Sequence, residues 1–143
     1  MVAKEYLQQI KILTTQIQNI DDEIKSLRSE VITIRSSWPD GQPHGSNTSD
    51  PVGNVATRLA DELIKLEKRQ LDLQGELWHK RNEIINTLNQ LQHAESNRLL
   101  YLRYVQDKTW EHIAVEMHYS YQWVSTALHS NALCELQEIL DRT

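Results

Sequence analysis

From Tyr6 to Ile34 apolar side chains recur in alternating steps of four and three: Tyr6, Ile10, Leu13, Ile17, Ile20, Ile24, Leu27, Val31 and Ile34. This is a heptad seam, with Ile10, Ile17, Ile24 and Val31 at the a positions and Tyr6, Leu13, Ile20, Leu27 and Ile34 at d. So narrow a stripe belongs against another helix. A helix ending near Arg35 is roughly 45 to 50 Å long at about 1.5 Å per residue, longer than a compact domain of this size needs, so an extended arm is expected.

Residues 37–50, SWPDGQPHGSNTSD, carry turn formers and no Lys or Arg, and they predict a loop longer than most helix connections. Asp50 as N-cap and Pro51 at the first helical position restart the helix. A second seam then runs through Leu59, Leu63, Leu66, Gln70, Leu73, Leu77, Ile84, Leu88 and Leu91, interrupted by Gln70 and by Lys80 and Arg81. Polar breaks of this kind fix register or pairing at some cost in stability. The two seams pair either within the chain, as an antiparallel hairpin, or between chains, as a dimer. Gly75 inside the second helix is read as a hinge or as simple tolerance.

Composition narrows the class. All three prolines and three of the four glycines fall within residues 39–53, which leaves the remainder free to be helical and excludes a β-sandwich or a βαβ fold. Fifteen basic against 20 acidic residues give a formal charge of -5, which rules out a broad basic coat but not a local DNA-reading face. The lone Cys134 excludes an intrachain disulfide, and MVAKEYLQQI lacks the apolar core of a signal peptide. No apolar run approaches the roughly 20 residues that span a bilayer. The expected compartment is the cytoplasm, without membrane association.

Beyond His93 the pattern changes to shorter helices. Leu99, Leu100, Leu102 and Tyr104 make one or two amphipathic turns, and the stretch from Thr109 to Leu140 has the offsets of a helix-turn-helix. Ile113, small Ala114, Met117, Tyr119, Val124 and Ala127 fill its packing positions, with the turn at His118. Thr109 caps the first helix and Ser120 the second. The recognition helix starts at Tyr121 and presents Tyr121, Gln122, Ser125, Thr126 and His129 outward, types that bond to phosphates or base edges. Phosphate contacts are expected from Arg103, Lys108, Ser120 and Gln122, helped by the positive end of the recognition helix.

LLYLRYVQDKTWEHIAVEMHYS resembles region 4 of bacterial sigma factors and, more closely, small phage-encoded regulators of the RinA and ArpU type. PDGQPHGSNTSDPVGN is similar to the Asp-Gly, Gly-Ser and Ser-Asp signature that separates the two helical parts of such proteins. The resemblance covers about residues 37–140. It implies a sequence-specific DNA-binding regulator of phage genes, the late operon among them, in the host cell cytoplasm and with host RNA polymerase as a partner. The chain departs from the pattern in three ways. Residues 121–140 hold no Arg or Lys, the turn position often held by Gly is His118, and the spacing from Val124 to Leu133 is one residue longer. That spacing means either a bulged helix or a shifted alignment.

Other chemistries are weaker. His112 and Glu116 stand one helical turn apart and His118 lies in the turn, a poor zinc set whose bland reading is solvated surface. Glu135, Glu138 and Asp141 lack a facing acidic pair and read as a solvated face, and Cys134 reads as a small buried hydrophobe. Trp110 and Trp123 are read as packing residues rather than base-stacking ones. No catalytic residue, cofactor or metal is expected.

The expected fold is therefore all-α: a helical coiled-coil arm or hairpin over residues 1–96, with its loop at 37–50, then a sigma region 4-like helix-turn-helix over 97–143. The expected function is transcription regulation by a homodimer on double-stranded DNA. The alternatives are a module docking on RNA polymerase or another protein without DNA contact, and a coiled-coil structural adaptor. Residues 98–143 carry four basic and six acidic side chains, which keeps the docking module open.

Overall fold

The computed structural model describes residues 1–36 and 51–143, and these are all-α. The predicted loop at 37–50 and the Asp50 cap lie outside the described residues. Helix α1 spans Ala3–Ser36 and α2 spans Pro51–Leu88. Two short helices follow, α3 (Ala94–Leu100) and α4 (Trp110–Met117). The last helical stretch covers residues 121–142 and closes with α5 (His129–Arg142). Among the described residues no helix is long and apolar enough to cross a membrane.

The chain divides into two compact units, residues 15–74 and residues 1–14 with 75–143. In the first, α1 and α2 run antiparallel. Arg28 pairs with Glu67 at 2.7 Å, and Gln70 reaches the earlier Asp21 at 3.5 Å, so positions advance along one helix as they recede along the other. Ile24, Val31 and Leu73 are buried from the two seams, with Ile17, Ile20, Leu27, Leu63 and Leu66 half-buried beside them. Gln70, a polar break in the leucine seam, thus meets a polar partner on the facing helix. Asp21 also holds Lys25 at 2.8 Å.

The second unit contains the main core. Tyr6, Leu7 and Ile10 of α1 cluster with Ile84 and Leu88 of α2 and with Leu99, Leu100, Leu102, Ile113, Val124, Leu128, Ala132 and Leu136. Polar contacts anchor the same segment: the Tyr6 and Thr87 hydroxyls lie 3.0 Å apart, and the Gln137 side chain accepts from Ala3 N at 2.7 Å while donating to the Met1 carbonyl at 3.2 Å. One amide therefore satisfies a donor of the α1 first turn that has no intrahelical partner. Leu7, outside the heptad stripe, is completely buried, so the first turns of α1 form a wide apolar face rather than a narrow seam.

Gly75 is exposed, and a Cβ built on it meets nothing within 4 Å. Close helix approach is therefore not its role.

Candidate functional site

The segment from Thr109 to Arg142 builds its two helices from local hydrogen bonds. The Thr109 hydroxyl accepts from His112 N at 3.2 Å and caps α4. Helix α4 ends where His118 turns left-handed, at φ 60° and ψ 37°. His118 N then donates to the Val115 carbonyl and Tyr119 N to the Ala114 carbonyl, the paired closure of a Schellman motif. Histidine fills the position usually left to glycine, at some conformational cost. Two residues on, the Ser120 hydroxyl accepts from Trp123 N at 3.1 Å and caps the next helix. Ile113, Ala114 and Val124 are buried where these helices meet, and Met117 packs against the core.

The helix that follows is not regular. Trp123–Leu128 is π-helical, and the buried residues Val124, Leu128, Ala132 and Leu136 recur every four positions. In a regular α-helix each step of four overshoots one turn by about 40°, and three steps would swing the row off the core. The wider π turn takes up part of that overshoot. The π segment makes Leu128, rather than the half-buried Ala127, the fully packed residue. A second π segment, Tyr101–Val105, extends α3 and buries Leu102 and Val105.

The predicted DNA-contacting residues fall into two groups. Tyr121, Gln122 and Thr126 are exposed on the first turns of the helix, and the Thr126 hydroxyl donates back to the Gln122 backbone carbonyl. Ser120 is also exposed, although its oxygen serves as the cap. The others gather on one side. His129 is half-buried, its Nε2 lies 2.8 Å from the Tyr104 hydroxyl, and its ring meets Trp110 edge-on at 4.8 Å. Arg103 lies 4.6 Å over the Trp110 ring and donates to the Lys108 carbonyl at 3.0 Å, which ties three of the predicted residues to one structural knot. Ser125 and Lys108 are half-buried near it.

Sequence reasoning missed the partners of this knot. Lys4, Gln8 and Lys11 of α1 line a cavity of about 370 Å³ together with Arg103, Ser125 and His129. Their spacing of four and three placed them on one helix face, but nothing local showed which helix that face would meet. Trp110 packs as expected, whereas Trp123 is 46% exposed. Trp123 sits on the opposite side of the helix, in a cavity of about 480 Å³ that also contains Cys134, Glu95, Glu135 and Glu138. Cys134 is exposed rather than buried, because it falls between Ala132 and Leu136, whose side chains take the inward positions.

Glu135 also departs from the expected solvated face. Its carboxylate accepts from Gln92 N at 2.6 Å and His93 N at 3.1 Å, capping the start of α3 from a distant helix. Tyr119, predicted as a packing residue, is partly exposed and donates its hydroxyl to Glu95. Arg98 pairs with Glu116 at 2.7 Å, which braces α3 against α4. Glu116 also meets His112 at 3.3 Å, and no group of three His, Cys, Asp or Glu among the described residues could hold a metal ion.

Two of these groups make stability depend on pH. Burial, reinforced by Lys4 and Arg103, holds His129 below its ordinary 6.5. The unfolded chain therefore takes up this proton first, so the contribution of neutral His129 is complete above 6.5 and declines as pH falls through that value. For Glu135, burial raises the pKa but the hydrogen bonds from His93, Ser96 and Gln92 outweigh it, leaving it below 4.5. Its contribution is present above 4.5 and is lost as pH falls further through the folded value. Melting temperatures from circular dichroism should thus fall in two acid steps. His129→Gln should flatten the upper step and Glu135→Gln the lower, and unchanged pH profiles in both variants would refute these assignments.

Comparison with protein-family models, curated proteins and solved structures finds no match to this chain.

Proposed function

We propose that the chain is a sequence-specific DNA-binding regulator of phage transcription, built as a sigma region 4-like helix-turn-helix on a helical hairpin. The carrying observation is the conjunction at residues 109–126. A Thr109-capped helix, a left-handed turn at His118 and a Ser120-capped second helix present Tyr121, Gln122 and Thr126 to solvent. A helix start with exposed polar side chains suits the major groove, where Gln pairs bidentately with adenine. The cavity on the other flank sets Glu95, Glu135 and Glu138 against Arg142, a lining that favours phosphate less than the side bearing Ser125 and Arg103, which is therefore taken as the DNA-facing side.

The test is a salt-dependent binding assay on the DNA flanking the gene. Gln122→Ala should weaken the preferred site by about 1–3 kcal/mol and relax one base position. Lys108→Ala should lower affinity nearly equally on every sequence, because a phosphate contact carries no base information. If no duplex is bound at low salt, the better account is a module that docks on RNA polymerase. That second reading draws on the exposed aromatic set Tyr119, Tyr121 and Trp123 and on the absence of Lys and Arg from residues 121–140.

The regulator is proposed to act as a homodimer. Within residues 15–74, Ile64 and Leu71 of α2 are seven residues apart and 64% and 68% exposed, one heptad of a further seam left without a partner in the hairpin. Light scattering should give a dimeric mass, and Ile64→Glu with Leu71→Glu should halve it without loss of helicity. A monomeric wild-type chain at the concentrations of the binding assay would overturn dimerisation.

A further inference from the structure

The cavity beside His129 brings together cations from parts of the chain that are far apart in sequence. Lys4 and Lys11 come from α1 and Arg103 from the π segment after α3, with Asp107 the one carboxylate on its rim. Neither lysine forms a salt bridge among the described residues, and both are exposed. Arg103 is held by the Lys108 carbonyl and the Trp110 ring rather than by an acid, so its charge is not cancelled. Gln8, between the two lysines on the same helix face, and Ser125 from the proposed recognition helix add uncharged hydrogen-bond donors. Buried Leu7 and the Trp110 ring form apolar walls, which lower the local dielectric and strengthen attraction to an anion.

We infer that this cavity is a phosphate site, in which Lys4 and Lys11 of α1 clamp a backbone phosphate of the DNA read by the adjoining helix. Arg103 contributes fixed charge from the cavity wall. The DNA as source rests on the proposed helix-turn-helix reading, whereas the anion site rests on the cavity alone. The clamp explains how an acidic chain without a basic residue in positions 121–140 retains affinity for a polyanion. It also gives the first turns of α1 a role in positioning the recognition helix on the duplex, since phosphate contacts set register.

The test compares the full-length chain with Lys4→Gln/Lys11→Gln and with Lys25→Gln, whose lysine is paired with Asp21 in the other unit. Binding to a duplex from the flanking DNA and to a scrambled duplex is followed across salt concentration, and inorganic phosphate is titrated against the amide NMR spectrum. The double variant should lose affinity by the same factor on both duplexes. Its slope of log affinity against log salt should be shallower by about 0.9 for each phosphate released. Lys25→Gln should match wild type, and phosphate should shift the signals of Lys4, Gln8, Lys11 and Ser125 in wild type but not in the double variant. A double variant that binds DNA with the wild-type slope overturns the clamp and leaves the DNA reading intact. If no duplex binds but the phosphate-dependent shifts appear and require both lysines, duplex DNA is overturned as the source and free phosphate takes its place. Absence of both responses overturns site and source together.

Discussion

Leu7→Ala is expected to destabilise the unit carrying the proposed recognition helix by about 2–5 kcal/mol, the range for truncating a fully buried leucine that leaves a cavity. Leu7 is 0% exposed and shares one core with Leu99, Ile113, Val124 and Leu136, although it lies near the other end of the chain. The Ala3 and Met1 contacts to Gln137 hold the same segment in place. Ile12→Ala is the internal control. At 56% exposed it should change stability by no more than about 0.5 kcal/mol. Urea unfolding followed by circular dichroism reads both. A Leu7→Ala midpoint indistinguishable from that of Ile12→Ala would mean that the start of α1 is an appendage and not part of this core. For the same reason a fragment comprising residues 97–143 should not unfold cooperatively, because it lacks Leu7, Ile84 and Leu88.

Ala114→Leu should cost about 1–3 kcal/mol by overpacking and abolish the proposed DNA binding. Ala114 is 7% exposed, beside buried Ile113 and Val124, and its carbonyl closes the turn by accepting from Tyr119 N at 3.0 Å. Three added carbons have no room there unless α4 and the following helix separate, which displaces the exposed start of that helix with Tyr121 and Gln122. Helicity in residues 15–74 should survive. Val115→Leu, at a neighbouring position 77% exposed, should leave binding as it is. A folded Ala114→Leu variant with wild-type DNA affinity would show that the reading face does not depend on contact at this residue.

The features legible from sequence are those made over a few residues. The seam from Tyr6 to Ile34 recurs at the period of a helix, and it appears as α1. Thr109 and Ser120 bond to amides three residues ahead, so residue type and position suffice to place both caps. The turn at His118 was readable for the same reason, since a left-handed residue between two caps closes on carbonyls three and five positions back. The spacing from Val124 to Leu133 left a bulged helix and a shifted alignment equally open. The π turn at Trp123–Leu128 follows from packing, because Val124, Leu128, Ala132 and Leu136 must all face one core.

Tertiary structure alone determined which distant faces meet. Glu135, Glu138 and Asp141 are indistinguishable as a helical pattern, yet Glu135 alone finds the amides of Gln92 and His93, and those donors draw it out of water. Cys134 and Trp123 were read as packing residues from their places along the helix, but inward places are allotted by helix rotation, and both lie on the exposed flank. Lys4, Gln8 and Lys11 lie off the apolar seam of α1. They become the wall of a cationic cavity only because Leu7 and Ile10 anchor α1 beside Trp110 and Ser125. Helical period and capping are short-range and so are written in consecutive residues. The pairing of separate helices follows from the joint burial of side chains from Tyr6 to Leu136, which no local window contains.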